Sequence, residues 1–403
     1  MYTMLRRKME GVRDDAAKFA QEMVKLPSPS LAEGQVADVV ERKMRELGYD
    51  KVVRDEYGNV AGVLLGRTDG KTLLLNTHMD TVTPSGTWSE DPYSARIADG
   101  RLYGVGAGDC KGGLAAQVYG AHLLRRALLP LEGHVVVAAT VAEEYGRSAG
   151  VRRLLEKTLP SLSLKPAYAV LGEPTGLGLY YGHDGWAEME VRIEGANPFQ
   201  VEDAATAVYR DLNRLDGGPR EDKLGLAPPR FQDVAGGRRA TINVAKRLVN
   251  EESLGGAISE LKRAASAAAK SSGAVAVDVE VRQETQKLYT GTAAVVRHVT
   301  HSWSTDPFNP VMERSRHALA AAGLAVRTGK WRLGRLGMGT AGSLMVEEFN
   351  LPTIGYGPGE EEKVHAANES VSLDAVAEAI YGTACIAHSL AGVPVFGWTS
   401  DDI

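Results

Sequence analysis

The stretch Leu73 to Asp80, LLLNTHMD, constrains the fold more than any other part of the 403-residue chain. A continuous apolar run bounded by polar residues reads as a strand buried on both faces, since a half-exposed strand would alternate. Such a strand needs a covering layer on each side. It ends in His78 and Asp80. Positions i and i+2 of an extended chain point the same way, so an imidazole and an acid are delivered side by side. A histidine–aspartate pair of this kind can also be plain core structure, with the ring hydrogen-bonded to its neighbour. The choice depends on what the other strands bring.

Three further short apolar runs end in polar residues of the same kinds. His134 to Val141, HVVVAATV, leads into Ala142-Glu143-Glu144. Ala167 to Leu171 leads into Gly172-Glu173-Pro174-Thr175. Leu351 to Gly355 leads, through the turn Gly357-Pro358-Gly359, to His365. Strands are also expected over 51–54 and 60–65, and helices over 13–25, 34–48, 114–126, 149–155, 311–322 and 372–390. This alternation predicts an α/β fold with a mostly parallel sheet sandwiched by helices. Between about 182 and 302 the character changes. Ala187 to Ile193, AEMEVRI, alternates as a one-sided strand does, followed by a helix over 201–215 and a Gly/Pro-rich stretch at 216–238 read as loop with one strand. A short strand at 241–244, a helix at 254–268 and a strand at 274–281 complete a smaller α+β unit. The expected organisation is a first catalytic segment at 1–181, an insert at 182–302 and a second catalytic segment at 303–403, since a chain of this length exceeds one small core.

The net charge of −5 is mild and mixed in sign, which argues against nucleic acid or an anionic membrane as the main partner. No apolar run approaches the roughly 20 residues that span a bilayer. The charged N-terminus lacks an apolar leader core, and two cysteines make no disulfide scaffold. A cytoplasmic setting is expected.

His78, Asp80, Glu143, Glu144, Glu173 and His365 all follow strands at the edge where a parallel sheet opens to ligands. Asp109 stands in the glycine-rich loop GVGAGDCKGG before a helix. Singly, the two glutamates read as a solvated turn, Glu173 as a turn acid and His365 as structural. Together, so many carboxylates would repel unless a cation lay among them. Imidazole and carboxylate donors suit zinc or a similar ion.

These residues also carry a resemblance. HMDTV at 78–82, GAGDCKGG at 106–113, AEE at 142–144, GEPT at 172–175 and GPG followed by HAANE at 357–369 resemble, in order and approximate spacing, the M20 family of metallopeptidases and deacylases, which includes acetylornithine deacetylase, succinyl-diaminopimelate desuccinylase and glutamate carboxypeptidase. The likeness spans roughly 15–195 and 305–390. It implies a zinc-exopeptidase-like catalytic domain with an inserted lid that also dimerises, so a homodimer is the default. It implies two divalent metal ions, zinc above all, with cobalt or manganese as substitutes. His78, Asp109 and Glu173 would hold one ion, and Asp109, Glu144 and His365 the other. Asp80 would hydrogen-bond the far nitrogen of His78. Glu143 would be the general base, taking a proton from a metal-activated water and passing it to the leaving amine. A cis peptide is expected at Asp109–Cys110.

The insert departs from the family. Phe199 stands where relatives carry a histidine that reaches the substrate carbonyl, and no histidine occurs between His183 and His298. Asn243 and Arg247 fall at substrate-contacting positions, although the strand that normally precedes the next helix is shortened away. Gly342 replaces an acid in the segment that includes Thr340, and Thr340 and Gly342 are assigned to substrate binding. The reading is a two-metal amidohydrolase for a small N-acyl amino acid or related carboxylate-bearing molecule. The alternatives are a short-peptide exopeptidase, or a metal-binding relative that lost catalysis with the lid histidine.

Overall fold

The protein is described by a computed structural model covering residues 1–68, 70–145, 147–215, 224–249, 252–332 and 339–393. Of the stretch 216–238 expected as loop with one strand, 216–223 lies outside these residues, and the remainder holds two short strands and the start of a third. The main strands are β1 (Lys51–Arg54), β2 (Val60–Leu64), β3 (Thr72–His78), β4 (Val135–Thr140), β5 (Pro166–Leu171) and β6 (Leu179–Tyr180). The chain continues with β7 (Gly185–Gly195), β8 (Leu224–Leu226), β9 (Arg230–Val234), β10 (Gly237–Leu248), β11 (Ala276–Val281), β12 (Gln283–Lys287), β13 (Ala293–Arg297), β14 (Val299–Thr300), β15 (Thr328–Gly329) and β16 (Thr353–Gly355). The principal helices are α1 (Tyr2–Glu10), α2 (Arg13–Val24), α3 (Gly34–Glu46), α4 (Gly112–Arg126), α5 (Ala149–Arg153), α6 (Pro198–Leu215), α7 (Leu254–Ala269), α8 (Pro310–Ala321), α9 (Gly342–Glu347) and α10 (Leu373–Ala391).

The large sheet runs β1-β2-β4-β3-β5-β16-β6-β15. Its centre is parallel: β3 lies between β4 and β5, and β16 joins β5 on the far side. The apolar runs explain this position. Leu73 and Leu75 join one core, while Leu74 joins the core on the opposite face. Val135 and Val137 divide from Val136 and Ala138 in the same way, as do Tyr168 and Val170 from Ala169 and Leu171. Side chains of period two therefore fill two layers at once, which is why these runs do not alternate in hydrophobicity. The parallel register aligns the carboxyl ends, with His78 opposite Thr140 and Asn76 opposite Leu171. Residues just beyond these positions share one edge.

A second sheet is antiparallel, ordered β8-β10-β7-β11, with β9 on β10 and β14 on β7. Met189, Val191 and Ile193 of β7 pack against Val201, Ala205, Val208 and Leu212 of α6 and Ala257, Leu261 and Ala265 of α7. The alternation in AEMEVRI is this one-sided burial. The strand expected at 241–244 is longer than predicted: β10 pairs with β7 from Gly185↔Leu248 to Gly195↔Arg238. Its polar ends obscured it in the sequence. No strand intervenes between β10 and α7 among the described residues.

Among the elements not anticipated, two bear on the core and the site. Helix α1 buries Leu5 and Met9 in the main core. The hairpin β12–β13 leaves the second sheet and docks on the first. Its Leu288, Ala294 and Val296 enter the main core. Tyr289 Oη donates to the Gly58 carbonyl at 3.1 Å, and the Thr290 and Thr292 hydroxyls donate to the Glu56 carbonyl at 2.8 and 2.9 Å. No helix among the described residues is long and apolar enough to cross a membrane.

Candidate active site

The carboxyl edge of β3, β4 and β5 gathers six of the residues singled out in the sequence. His78 is 2% exposed. Its Nε2 lies 3.2 Å from Asp109 Oδ1 and 3.8 Å from Glu173 Oε1. His365 Nε2 lies 3.1 Å from Asp109 Oδ2 and 2.8 Å from Glu144 Oε1. Asp109 thus faces one imidazole with each carboxylate oxygen. Two donor sets result, His78 with Asp109, Glu173 and Cys110, and Asp109 with Glu144 and His365, each with its ligand atoms within 4.8 Å of one another. Cys110 was not expected there. Burial holds its thiol well above the ordinary range, and its Sγ points at the His78 carbonyl, 3.9 Å away. The Asp109–Cys110 peptide is cis. Glu143 lines the same cavity but belongs to neither donor set.

Asp80 acts differently from the simple sequence picture. His78 Nδ1 is 2.8 Å from the Asp80 main-chain carbonyl, and the Asp80 carboxylate is 3.5 Å from that nitrogen. The carboxylate instead accepts the Glu143 N–H at 3.0 Å, the Glu144 N–H at 2.9 Å and the Ser30 hydroxyl at 2.5 Å. One fully buried residue therefore orients the histidine through its backbone and the two glutamates through its side chain. Ala142, just before them, has φ 54°, and His365 has φ 55°. Both are left-handed positions that a non-glycine residue adopts at a cost, and they re-aim the following chain at the site.

Glu369 ends the HAANE segment. Its buried carboxylate accepts the N–H groups of Gly106, Gly108 and Asp109 at 3.2, 2.8 and 3.0 Å. It clamps the loop that carries Asp109. Its position four residues after His365 was the only available signal. Gly106 has φ 77°, and a Cβ there would strike Thr81 Cγ2, so the loop turns at a residue that must be glycine.

The electrostatics favour positive charge among these carboxylates. Burial, with repulsion from Asp109, Glu144 and Asp80, outweighs the attraction of His78 and pushes Glu173 up to about 8. Burial also raises Glu143 well above its ordinary value, with Glu144, Glu173 and Asp80 adding repulsion against His78. Burial would lower His365, but hydrogen bonds to Asp109 and Glu144 raise it to about 11. With protein groups alone, protons stand in for cations. Two imidazoles and three carboxylates at these distances could hold divalent ions of the zinc type, and such ions supply the charge the cluster needs.

The residues expected to touch substrate are dispersed. Asn243 of β10 stands opposite Glu190 of β7 and lines neither of the cavities beside the cluster. Arg247 also stays off those walls, because its guanidinium bonds Asp184 at 3.0 Å. Gly342 faces the Trp303 ring, which fills the space an acid would need. Thr340 lines a neighbouring cavity of about 650 Å³. Its N–H donates to His183 Nε2 at 2.9 Å, and His183 Nδ1 lies 2.7 Å from the Asp184 carbonyl. These contacts make His183 a neutral structural ring, and burial pushes it down to about 4. Phe199 is 75% exposed and lines neither cavity.

Residues 74–389 match the model of Peptidase family M20/M25/M40. The chain is 25% identical over 388 residues to the uncharacterised protein YgeY of Escherichia coli K12, covering 91% of this chain and 92% of that one. It is 32% identical over 167 residues to a succinyl-diaminopimelate desuccinylase of Gluconacetobacter diazotrophicus, covering 40% and 43%. Among solved structures, the fold superposes with TM-score 0.67 on the YxeP protein of Bacillus subtilis, described as a dinuclear metal binding peptidase, at 15% identity over 94% of this chain and 98% of that one.

Proposed function

The chain belongs to peptidase family M20/M25/M40 and is a metal-dependent hydrolase of that family; from that premise we propose that it cleaves an amide bond in a small N-acyl amino acid or related carboxylate-bearing molecule. The observation that carries the reading is the division of labour at the β-sheet edge. Asp109 is shared between two donor sets, while the adjacent Glu143 reaches the same cavity and joins neither. His78, Asp109 and Glu173 would hold one divalent ion and Asp109, Glu144 and His365 the other, zinc being the first choice and cobalt or manganese the substitutes. Such ions, when bound, lower the pKa of water and polarise a carbonyl.

The remaining steps belong to the chain's own groups. Glu143 takes a proton from the attacking water as its oxygen bonds to the carbonyl carbon. The same carboxyl then delivers that proton to the amine nitrogen as the C–N bond breaks. Asp80 keeps Glu143 in place through the backbone, since its carboxylate accepts the Glu143 N–H at 3.0 Å. In this reading 1–181 and 303–403, together with the β12–β13 hairpin whose Leu288, Ala294 and Val296 enter the main core, form the catalytic body, and the rest of 182–302 forms a lid that also pairs two copies as a homodimer.

The test is a panel of N-acyl amino acids and dipeptides with zinc- or cobalt-loaded protein. Turnover of the acyl amino acids is expected, with Glu143→Gln losing about 10²- to 10⁴-fold in kcat while keeping both ions. Retained turnover in that variant would refute the base assignment. Turnover of dipeptides alone would make the enzyme an exopeptidase.

A further inference from the structure

The cavity at the cluster, about 190 Å³, has a second end of opposite charge. Arg147, Arg152, Arg297 and His301 line it beside Glu348. They come from the loop after Glu144, from α5, from β13, from the segment after β14 and from the end of α9. Glu348 Oε1 lies 2.8 Å from Arg152 Nη2, 3.2 Å from His301 Nε2 and 3.6 Å from Arg297 Nη1. Two guanidiniums and an imidazole thus meet one carboxylate on this wall. Arg147 faces Glu188, at 3.7 Å, which lies off the wall.

Arg297 is the group best placed to receive a ligand. Ala294 and Val296 anchor β13 in the main core, so Val295 and Arg297 point to the other face and into the cavity. Among the described residues its guanidinium makes no hydrogen bond, and Glu348 is beyond hydrogen-bond reach of it. A guanidinium offers a planar fork of donors that matches a carboxylate.

We propose that this end is an anion site that seats a second acidic group of the substrate, a carboxylate, while the scissile amide lies at the Asp109 cluster. The enzyme then favours amides of dicarboxylic acids or acidic amino acids. Glu348 is the internal counter-ion that holds the arginines in place until such a group arrives. The importance of the site for turnover rests on the hydrolase reading, but its existence can be measured without turnover.

The experiment is calorimetric titration of the metal-loaded protein with glutarate and with valerate, its monocarboxylate counterpart. Glutarate should bind at least tenfold more tightly, because only it presents a second carboxylate. Arg297→Gln and Arg152→Gln should each cut that preference by about 10- to 100-fold, the size of one lost charge-assisted pair. Arg316→Gln, an exposed residue outside the cavity, should keep it. Glu348→Gln should tighten glutarate severalfold by removing the competing carboxylate. Equal affinity for the two acids, no glutarate binding, or a preference that survives both arginine variants would overturn the anion site. Unchanged or weaker glutarate binding in Glu348→Gln would overturn the counter-ion role. A glutarate preference without any amide turnover would leave the anion site standing and sink the hydrolase reading; turnover of neutral amides with no preference would do the reverse.

Discussion

Asp80→Asn changes one oxygen to an amide nitrogen, yet it should disable half of the site. The carboxylate is fully buried and receives two backbone N–H groups, one on each oxygen, from Glu143 and Glu144. Asparagine keeps a single acceptor oxygen, so one N–H must face an NH₂ group at about the same separation. The variant loses one bond to a charged acceptor, worth about 1.5–3 kcal/mol, and leaves a buried N–H orphaned at about 1–3 kcal/mol. The two overlap, so about 3 kcal/mol is a fair figure, or roughly two powers of ten in an equilibrium constant. The loss is directional. His78 keeps its bond to the Asp80 carbonyl at 2.8 Å, whereas Glu144 loses backbone support. Competition against a chromophoric chelator should show the weaker-held ion losing about 100-fold in affinity, with the other changed far less. Steady-state kinetics should show kcat falling by at least as much, because Glu143 shifts with the loop. Wild-type affinity for both ions together with wild-type kcat would refute the claim that the Asp80 side chain organises Glu143 and Glu144.

Gly106→Ala should cost about 1–3 kcal/mol in chemical denaturation and weaken metal loading, since the position has φ 77° and its Cβ meets Thr81; an unperturbed denaturation midpoint would refute it. Metal binding at pH 7 should release protons, because the bare site holds His365 at about 11 and Glu173 at about 8. Calorimetry in buffers of different ionisation enthalpy should count two or more protons released, and a count of zero would contradict the electrostatic account. His183 is held neutral down to about 4, so the unfolded chain binds one more proton than the folded one between about pH 6.5 and 4. Stability should therefore fall by about 3 kcal/mol as pH drops through that window. His183→Gln should flatten this limb in denaturation curves taken across it; an identical slope would exclude His183 as its source.

The large sheet was legible because its strands announce themselves. LLLNTHMD, HVVVAATV and AYAVL are short, apolar on both faces and closed by polar residues, and they form β3, β4 and β5. The hairpin β12–β13 was not legible, although Ala294 and Val296 alternate with Val295 and Arg297. Its apolar face packs on a sheet more than 200 residues away in sequence, with Thr290 bonding Glu56, and no local pattern encodes that partner. Arg247 stays off the cavity walls for a related reason: its neighbour Asp184 sits 3.0 Å away and takes up its charge.

The donor cluster belongs to the sequence itself. Each of its residues stands at the end of a strand or in a glycine loop whose type is written locally, and a parallel sheet brings the carboxyl ends of its strands to one edge without further instruction. The anion end belongs to the tertiary structure alone. Arg147, Arg152, Arg297, His301 and Glu348 carry no shared motif, and each looks like an ordinary surface charge where it stands. They converge because the β12–β13 hairpin is buried against the main core and swings β13 over the site. Side-chain burial, a long-range contact, made that decision, and it also decided that Asp80 holds His78 by its carbonyl and the two glutamates by its carboxylate.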